Sequence, residues 1–502
     1  AIGANAYQNS DTENDNIAIG YNAMIINTAG GTRNIAIGNY ALDALTSGDD
    51  NVAVGYDAGT AINTGSANVA IGAYALDSTT SGDNNTAVGK VALGANTTGA
   101  GNTAVGYASL DASSTASNNT AVGLRALSTN STGADNVAVG KNAALANTTA
   151  ASIVAIGSNT LESNTTGGEN TAVGQGAMQA NTTGTYNIAV GTNALAANVG
   201  GTRNIAIGVN AMDGSDTESD NIAIGSYAMT TNNAGGAGNV ALGHYALDAL
   251  TSGDRNIGIG TSALGANTEA GDNTAVGSYA LQATTTGNGL NSAVGAYALQ
   301  AVTTGSSNIG IGYKAGENLT DGVNNILIGR NAAAHGISST SLDACIVIGD
   351  YSDTSAVDSG KQLILGYNVT GTGNNAFTFG NAALDSNIDF GATSISAPSD
   401  VRLKEDIQDE KIGLDFINDL RPVTFQWRKA KDIPEEMKTH VAGSDERVMN
   451  GKYNHGFIAQ EVKSVIDRYD IKDGFAMWKE DEVDGRQRLA DGALVPMLVK
   501  SI

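Results

Sequence analysis

The sequence predicts a mostly β protein: a trimeric β-solenoid or β-roll rod of 17-residue repeats, followed by a small α+β domain. A phrase of the form Asn-x-Ala-(Ile/Val)-Gly returns at a nearly constant interval through residues 1–380. The 502 residues include 65 glycines but only 4 prolines and 5% aromatic residues, which argues against an ordinary globular core. All four prolines and both tryptophans lie within residues 398–502, so a second fold begins there.

The repeat is 17 residues long. Its closing glycines include Gly38, Gly55, Gly72 and Gly89, and the series continues with an occasional step of 18. β-Branched residues alternate with alanine inside the phrase, which predicts a short strand with one apolar face. The Thr/Asn/Gly-rich stretch that follows is typical of a turn. Helix is disfavoured, because each recurring glycine would cost about 1 kcal/mol relative to alanine.

If each repeat forms one coil, successive coils lie about 4.8 Å apart and equivalent side chains stack. We therefore expect an amide ladder of asparagines such as Asn34, Asn51 and Asn68, because stacked amides satisfy one another's hydrogen bonds. The interruptions of this ladder are Ile153, Cys345 and Gln362.

Two sets of recurring apolar residues, a leucine or methionine after each glycine and a series of alanines, predict how the coils pack. A leucine or methionine four residues after the glycine, such as Leu42 or Leu76, is expected to pack over Ile37 or Ile71. One coil holds too few large apolar residues to offset the entropy of ordering it. The small residues are therefore interpreted as close contacts between chains of a homotrimer. They are Ala18, Ala23, Ala36, Ala41, Ala70, Ala75, Ala87 and Ala92.

These repeats resemble the head repeats of trimeric autotransporter adhesins, which form left-handed β-rolls and carry a similar phrase. The resemblance covers about residues 1–380. Repeats of that family are typically shorter than 17 residues, so the resemblance implies a β-roll without fixing its handedness.

The charge is concentrated in the repeats. Residues 1–398 contain 9 Lys and Arg against 29 Asp and Glu. Such an acidic surface repels phosphate backbones, so we expect no nucleic-acid ligand.

No apolar run approaches the roughly 18 residues of a membrane span, so we expect no membrane insertion. The single Cys345 excludes an intrachain disulfide framework and a cysteine zinc site. No cofactor or metal is predicted.

Three features of the repeats are candidate ligand sites. His244 and His335 stand alone, which favours ordinary surface residues. Asp/Gly-rich turns such as 47–50 lack the spacing of calcium-binding β-rolls, which favours solvated turns. Tyrosines just after the glycine, such as Tyr21 and Tyr40, are either outward-facing residues without a ligand or rings that stack on sugars.

Four ordered motifs characterise the C-terminal region, where we predict a helix over 411–420, a strand over 422–427, a strand leading into a helix over 456–466, and a helix beginning near 492. The motifs are Ser399-Asp400-Val401-Arg402-Leu403-Lys404, Leu420-Arg421-Pro422-Val423, Gly456-Phe457-Ile458-Ala459-Gln460-Glu461-Val462 and Leu494-Val495-Pro496-Met497-Leu498-Val499-Lys500. Together they resemble the endosialidase-type intramolecular chaperone domain.

That resemblance implies a function for the serine that opens the first motif. Family members stand at the C-terminus of phage tail fibres and tailspikes, help three chains to register and fold, and then cleave themselves before this serine. It assigns Ser399 as nucleophile, Lys404 as its base and Pro398–Ser399 as the scissile bond. Lysine acts as a base only when its environment favours the neutral amine. Taken alone, Ser399 would more simply be interpreted as a helix cap.

The predicted organisation is a fibre shaft over 1–380, a linker over 381–398, and a chaperone and autoprocessing domain over 399–502. The predicted function is a structural and receptor-binding fibre, located in a virion tail, whose one reaction is single-turnover self-cleavage. Expected partners are two further copies, a host cell-surface receptor with polysaccharide as a candidate, and an upstream fibre or tail attachment protein. The alternatives are a bacterial trimeric adhesin on the cell surface and a polysaccharide-degrading tailspike. Because Ala1 falls inside a repeat, we expect further chain upstream.

Overall fold

The computed structural model describes residues 1–9, 15–287, 289–336, 340–382, 384–392, 395, 396, 399, 401–410, 412–435, 437, 439–449, 451–471, 477–480 and 487–502. The chain divides into two compact units, Ala1–Pro398 and Ser399–Ile502. Among the described residues, no helix combines the length and the apolar composition that crossing a bilayer requires.

The first unit is a solenoid in which each 17-residue repeat supplies one short strand. The fold class predicted from the sequence, a mostly β solenoid followed by a small region with a few helices, is confirmed. The three-residue strands are β1 Ile17–Ile19, β2 Ile35–Ile37, β3 Val52–Val54, β4 Val69–Ile71, β5 Thr86–Val88, β6 Thr103–Val105, β7 Thr120–Val122, β8 Val137–Val139, β9 Val154–Ile156, β10 Thr171–Val173, β11 Ile188–Val190, β12 Ile205–Ile207, β13 Ile222–Ile224, β14 Val240–Leu242, β15 Ile257–Ile259, β16 Thr274–Val276, β17 Ser292–Val294, β18 Ile309–Ile311, β19 Ile326–Ile328 and β20 Ile346–Ile348.

Each strand pairs in parallel with the strand of the next coil, in register. Ala53 of β3, for example, is paired with Ala36 of β2 and with Ala70 of β4. The predicted stacking of equivalent residues therefore holds along the shaft. Because the period is the same in successive coils, a side chain that fits in one coil meets its own equivalent in the next.

The direction in which the strand residues face was predicted wrongly. The alanines assigned to contacts between chains lie inside the solenoid, where Ala36, Ala70 and Ala87 are fully buried. The flanking β-branched residues point outward instead, and Ile71 is 40% exposed. Alternation at period two establishes that a strand has two different faces, but it does not establish which face is interior.

The narrow interior explains why alanine rather than isoleucine is inside. Leu42 and Leu76 are fully buried, but they do not cover Ile37 and Ile71 as expected. In the coils where glycine replaces the alanine, a Cβ at Gly310 would lie 2.6 Å from Cγ of Leu299. The leucine of one coil therefore fills the space beside the small strand residue of the next coil. The larger Leu327 and Val347 are buried at this strand position only after coils that carry Gly316 and Ala333 instead of a leucine.

The motif glycine is required by the stacking of coils. Gly38 has φ +140°, a conformation that side chains rarely adopt. A Cβ at this position would lie 2.1 Å from the carbonyl oxygen of Gly55 in the next coil. A side chain would therefore push adjacent coils apart, which accounts for a glycine in each repeat.

The predicted asparagine ladder is confirmed. Asn51 donates from Nδ2 to Oδ1 of Asn34 (3.1 Å) and to the carbonyl of Gly65 (2.9 Å). At two of the interruptions the backbone N–H still bonds to the ladder: Ile153 donates to Oδ1 of Asn136 (3.0 Å) and Cys345 donates to Oδ1 of Asn325 (2.9 Å).

A second asparagine ladder was missed. The asparagine of the Asn-Thr-Thr-Gly stretch was assigned to a polar turn, yet Asn147, Asn164 and Asn181 are fully buried. Asn164 donates to Oδ1 of Asn147 (3.0 Å), and Asn181 donates to Oδ1 of Asn164 (2.7 Å). The amides therefore support the coil at a second corner.

The solenoid ends in longer strands, β21 Gln362–Tyr367, β22 Ala376–Asn381 and β23 Leu384–Asp389. Strands β21 and β22 continue the parallel pairing, whereas β23 turns back and pairs antiparallel with β22. Part of the segment predicted as a linker, 381–398, is therefore a strand of the same sheet.

The described residues of the second unit form three helices, α1 Leu414–Asp419, α2 Ala459–Arg468 and α3 Val495–Ser501. They also form two antiparallel strand pairs, β24 Val423–Phe425 with β25 Asn454–Gly456 and β26 Trp478–Glu480 with β27 Gln487–Leu489. Short 3-10 turns cover Val401–Leu403, Ala430–Asp432 and Asp491–Leu494. The three helices and strands β24 and β25 agree with the predicted elements apart from their bounds, whereas the pair of β26 and β27 was not predicted. Lys411 of the first predicted helix lies outside the described residues.

The core of the second unit forms between its helices. Phe416 of α1 is fully buried, and it belongs to a cluster with Val462 and Val465 of α2, Met477, and Met497 of α3. Three of the four motifs contribute residues to this cluster, so much of the motif sequence serves to hold the unit together.

Candidate active site

Ser399 and Lys404 are brought together by the turn between them. Residues Val401–Leu403 form a 3-10 turn, and the backbone N–H of Lys404 donates to the carbonyl oxygen of Val401 (3.1 Å). The turn folds the chain back by about one revolution, so that Nζ of Lys404 lies 2.7 Å from Oγ of Ser399. The predicted nucleophile and its predicted base are thus in direct hydrogen-bond contact.

This contact has the geometry that activation of a serine requires. A base must lie within about 2.6–3.2 Å of the hydroxyl whose proton it accepts. As an ammonium group, lysine can only donate to Oγ, so proton transfer needs the neutral amine. Both Ser399 and Lys404 are exposed in the single chain, where water stabilises the ammonium form.

Pro398, the residue before the predicted scissile bond, lies outside the described residues, as does Asp400. Ser399 itself is not part of a helix that it could cap, since the nearest helical residues belong to a three-residue turn. The interpretation of Ser399 as the cap of an α-helix is therefore not supported.

A bidentate ion pair joins the second and third motifs. Nε of Arg421 lies 2.9 Å from Oε2 of Glu461, and Nη2 of Arg421 contacts the other carboxylate oxygen. The hydrogen bond from Arg421 lowers the pKa of Glu461 below its ordinary value. Both residues belong to the motifs identified from the sequence, but the sequence does not predict their pairing, because they are 40 residues apart.

A second ionic cluster lies beside this pair. Asp419 accepts hydrogen bonds from Nη1 of Arg468 (2.9 Å) and from the hydroxyl of Tyr469 (3.0 Å). A surface cavity of about 280 Å³ is lined by Arg421, Glu461 and Arg468 among others. Ser399 and Lys404 do not line this cavity. Its carboxylates are each neutralised by an arginine, which is typical of a structural contact between helices.

Among the residues that the structure describes, the histidines and the cysteine of the repeats do not form a site with other ligand residues. His244 and His335 are exposed and pack against Tyr245 and Tyr351, with ring centroids 4.0 and 4.6 Å apart. Within the described part of the chain, no three His, Cys, Asp or Glu side chains converge as metal ligands would. The thiol of Cys345 is buried, which raises its pKa, so it is a poor nucleophile.

Part of the second unit matches a known protein family. Residues 399–470 match the family described as chaperone of endosialidase, a family of self-cleaving intramolecular chaperones. The match begins at Ser399 and ends before the fourth motif. Comparisons with curated proteins and with solved structures found no match to the chain. The family match and the solenoid of 17-residue coils together fit a tail fibre or tailspike that carries a C-terminal chaperone domain.

Proposed function

We propose that the protein is a homotrimeric receptor-binding fibre of a phage tail, whose C-terminal unit assists trimerisation and folding and then cleaves the chain between Pro398 and Ser399. The observation that carries this proposal is an apolar stripe along the outside of the solenoid. The outward stripe is the set of third residues of strands β1–β20, each of which is Ile, Val or Leu. None of these residues is buried in the single chain.

The outward stripe is continuous, and continuity supports a covered face. An isolated exposed valine is ordinary in soluble proteins, but a row of branched aliphatic side chains over twenty successive coils forms a large contiguous patch. The first strand position shows no such restriction, because Thr86, Thr103 and Thr120 occupy it in β5–β7. A partner can cover the whole stripe only if its own contact residues repeat at the same distance as the coils of the solenoid. A second and a third copy of this chain have that spacing.

Trimer formation also supplies a reason for delayed cleavage. The Ser399–Lys404 pair is exposed in the single chain, where the amine of Lys404 is hydrated. Contact with a neighbouring chain would remove water and favour the neutral amine that accepts the proton of Ser399. The hydroxyl oxygen then attacks the carbonyl carbon of residue 398, and the peptide bond to the nitrogen of Ser399 breaks as that nitrogen takes up the proton held by Lys404. Water hydrolyses the resulting ester, which restores the hydroxyl of Ser399 and releases residues 399–502.

The trimer is tested with substitutions in the outward stripe. Val122→Lys, Val139→Lys and Ile156→Lys together place three charges on adjacent coils of this face. Thr132→Lys, Thr149→Lys and Thr166→Lys form the matched control, because these residues are exposed in the turns of the same region. Sedimentation should show a trimer for the parent and the control, with association weakened at least tenfold in the stripe variant. A monomeric parent, or a stripe variant that associates like the control, would reject the trimer contact.

Cleavage is tested by mass spectrometry of purified protein. The parent chain should yield a fragment beginning at Ser399, whereas Ser399→Ala and Lys404→Met should remain intact, and Ser444→Ala should be cleaved as the parent is. The stripe variant should be cleaved more slowly than its matched control. Equal cleavage in the stripe variant would contradict the dependence on assembly, and cleavage of Ser399→Ala would contradict the assignment of the nucleophile.

A further inference from the structure

The first two positions after each motif glycine form a corner of the solenoid with a distinct composition. Twelve of the 16 tyrosines in the chain lie at these positions. Five of the nine basic residues of the shaft also lie there, but only two of its 29 acidic residues do. An acidic rod therefore carries one corner that is aromatic and nearly free of carboxylates.

The tyrosines are grouped in consecutive coils rather than spread evenly. The C-terminal tyrosine ladder consists of Tyr279, Tyr297, Tyr313, Tyr351 and Tyr367. Arg330 occupies the corner of the one coil between Tyr313 and Tyr351 that lacks a ring. Six successive coils thus present a flat group at the same corner, over about 24 Å at 4.8 Å per coil.

Ring contacts show that these side chains project to the same side. The centroids of Tyr279 and Tyr297 are 5.3 Å apart with the rings stacked, and those of Tyr297 and Tyr313 are 6.1 Å apart with the rings edge to face. Tyr351 and Tyr367 are also edge to face, at 6.3 Å. An edge-to-face contact leaves one ring face uncovered by its neighbour, and Tyr313 and Tyr367 are 47% and 53% exposed.

The two cationic side chains beside the ladder, those of Lys314 and Arg330, each form an ion pair with a carboxylate. Nζ of Lys314 lies 2.9 Å from Glu317, and the guanidinium of Arg330 lies 3.7 Å from Asp350. Arg330 also stacks on Tyr351, with Cζ 4.5 Å from the ring centroid. Nζ of Lys314 also lies over the rings of Tyr297 and Tyr313, 5.6 and 5.7 Å from their centroids. The ladder therefore offers its remaining exposed ring faces and its tyrosine hydroxyls without net positive charge, on a shaft that repels anions.

We propose that the C-terminal tyrosine ladder binds a neutral polysaccharide of the host surface. Sugar rings present an apolar C–H face that packs on tyrosine, and hydroxyls that hydrogen-bond at its edge. A regularly repeating ligand matches a regularly repeating row of rings, whereas an acidic polysaccharide would be repelled by the shaft. This inference rests on the proposed fibre function and assigns the receptor class to one surface.

The ladder differs from the outward stripe in a way that separates their roles. The stripe is present in every strand from β1 to β20, as a contact along the whole shaft requires. The tyrosine corner is confined to some coils and is interrupted between Tyr107 and Tyr227, where no corner residue is aromatic. A local ligand site needs only a few consecutive rings.

The test compares Tyr313→Leu/Tyr367→Leu with Tyr107→Leu in the full chain. Leucine keeps an apolar side chain but removes the flat face. Tyr107 is a matched control, because it occupies the same position after its glycine and is also 53% exposed, but the corners of the adjacent coils carry no ring. The probe is an array of neutral glucans, galactans and mannans beside sialic-acid- and uronic-acid-containing polysaccharides, read with fluorescently labelled protein.

The parent and Tyr107→Leu should bind at least one neutral polysaccharide, and the ladder double variant should bind it at least tenfold more weakly. Binding to acidic polysaccharides alone, no binding to the array, or equal binding by the double variant would overturn the inference. Sedimentation of the same samples tests whether a second copy of the chain covers the ladder instead of a polysaccharide. Dissociation of the double variant would assign the ladder to contacts between chains and would also overturn the inference. A trimeric, self-cleaving parent that binds no polysaccharide would leave the fibre function standing, whereas a monomeric and uncleaved parent would refute that function itself.

Discussion

The shaft buries alanines, asparagines and a leucine or methionine in successive coils, whereas the C-terminal unit buries Phe416 among branched and sulfur-containing side chains. In the shaft, the backbone and the amide ladders bond from one coil to the next, so each coil depends on its neighbours. In the C-terminal unit, helices from distant parts of the sequence meet around one aromatic ring. In the shaft, therefore, repetition rather than side-chain volume is the source of order.

The largest expected effect comes from a motif glycine. Gly123→Ala should destabilise the shaft by about 5 kcal/mol or more, because it adds backbone strain to the loss of several hydrogen bonds between coils. A Cβ at Gly123 would lie 2.4 Å from the carbonyl oxygen of Gly140, whereas one at Gly373 would meet no atom within 4 Å. Gly373→Ala is therefore the control. Equal thermal stability of the two variants would contradict the tight stacking.

The core of the C-terminal unit should behave independently of the shaft. Phe416→Ala removes a fully buried ring and should cost about 3–5 kcal/mol. In the cleavage-blocked Ser399→Ala background, once the shaft has folded, proteolysis should remove residues 399–502 selectively, while the far-ultraviolet signal of the shaft melts at its original temperature. Phe390→Ala is the control, since Phe390 is exposed in the shaft. Loss of shaft structure in Phe416→Ala would show that the two units are not separable.

Breaking one amide ladder should have an intermediate effect. Asn119 donates to Gly133 O (3.0 Å) and accepts from the N–H of Asn136 (3.0 Å), and all of these groups lie in the interior. Asn119→Ala leaves both partners unsatisfied and should cost about 1–3 kcal/mol. The exposed Thr132→Ala serves as the control in chemical denaturation. A cost no greater than that of the control would mean that water replaces the ladder.

The sequence predicted the period, the strand positions and the first asparagine ladder, because these follow from local chemistry repeated in each coil. It did not predict that Ala36 is interior and Ile37 exterior, since alternation is symmetrical and only the width of the coil decides. The buried second ladder was missed because Asn-Thr-Thr-Gly has the composition of an exposed turn. In the C-terminal unit the contact of Ser399 with Lys404 followed from the resemblance, whereas the pairing of Arg421 with Glu461 depends on tertiary packing.

The smallest expected effect concerns a half-buried carboxylate. Burial raises the pKa of Asp111 above its ordinary value. A raised folded-state pKa means that the carboxyl supports folding below its unfolded pKa, and that this support is lost as pH rises through the folded pKa. Asp111→Asn should therefore stabilise the shaft at pH 7 by less than about 1 kcal/mol, with the gain disappearing near pH 3. Asp358→Asn, at an exposed position, is the control, and a gain that grows toward low pH would contradict the assignment.

Mass per unit length, measured by scanning transmission electron microscopy of unstained shafts, tests the stacking of coils and the association of chains together. With 50.6 kDa over 502 residues, one coil of 17 residues per 4.8 Å gives about 0.36 kDa per Å for one chain and about 1.1 kDa per Å for three chains. We expect the value for three chains, constant along the shaft. A value for one chain would leave the outward stripe uncovered and contradict the trimer, and an intermediate value that fits no whole number of chains would contradict the 17-residue coil.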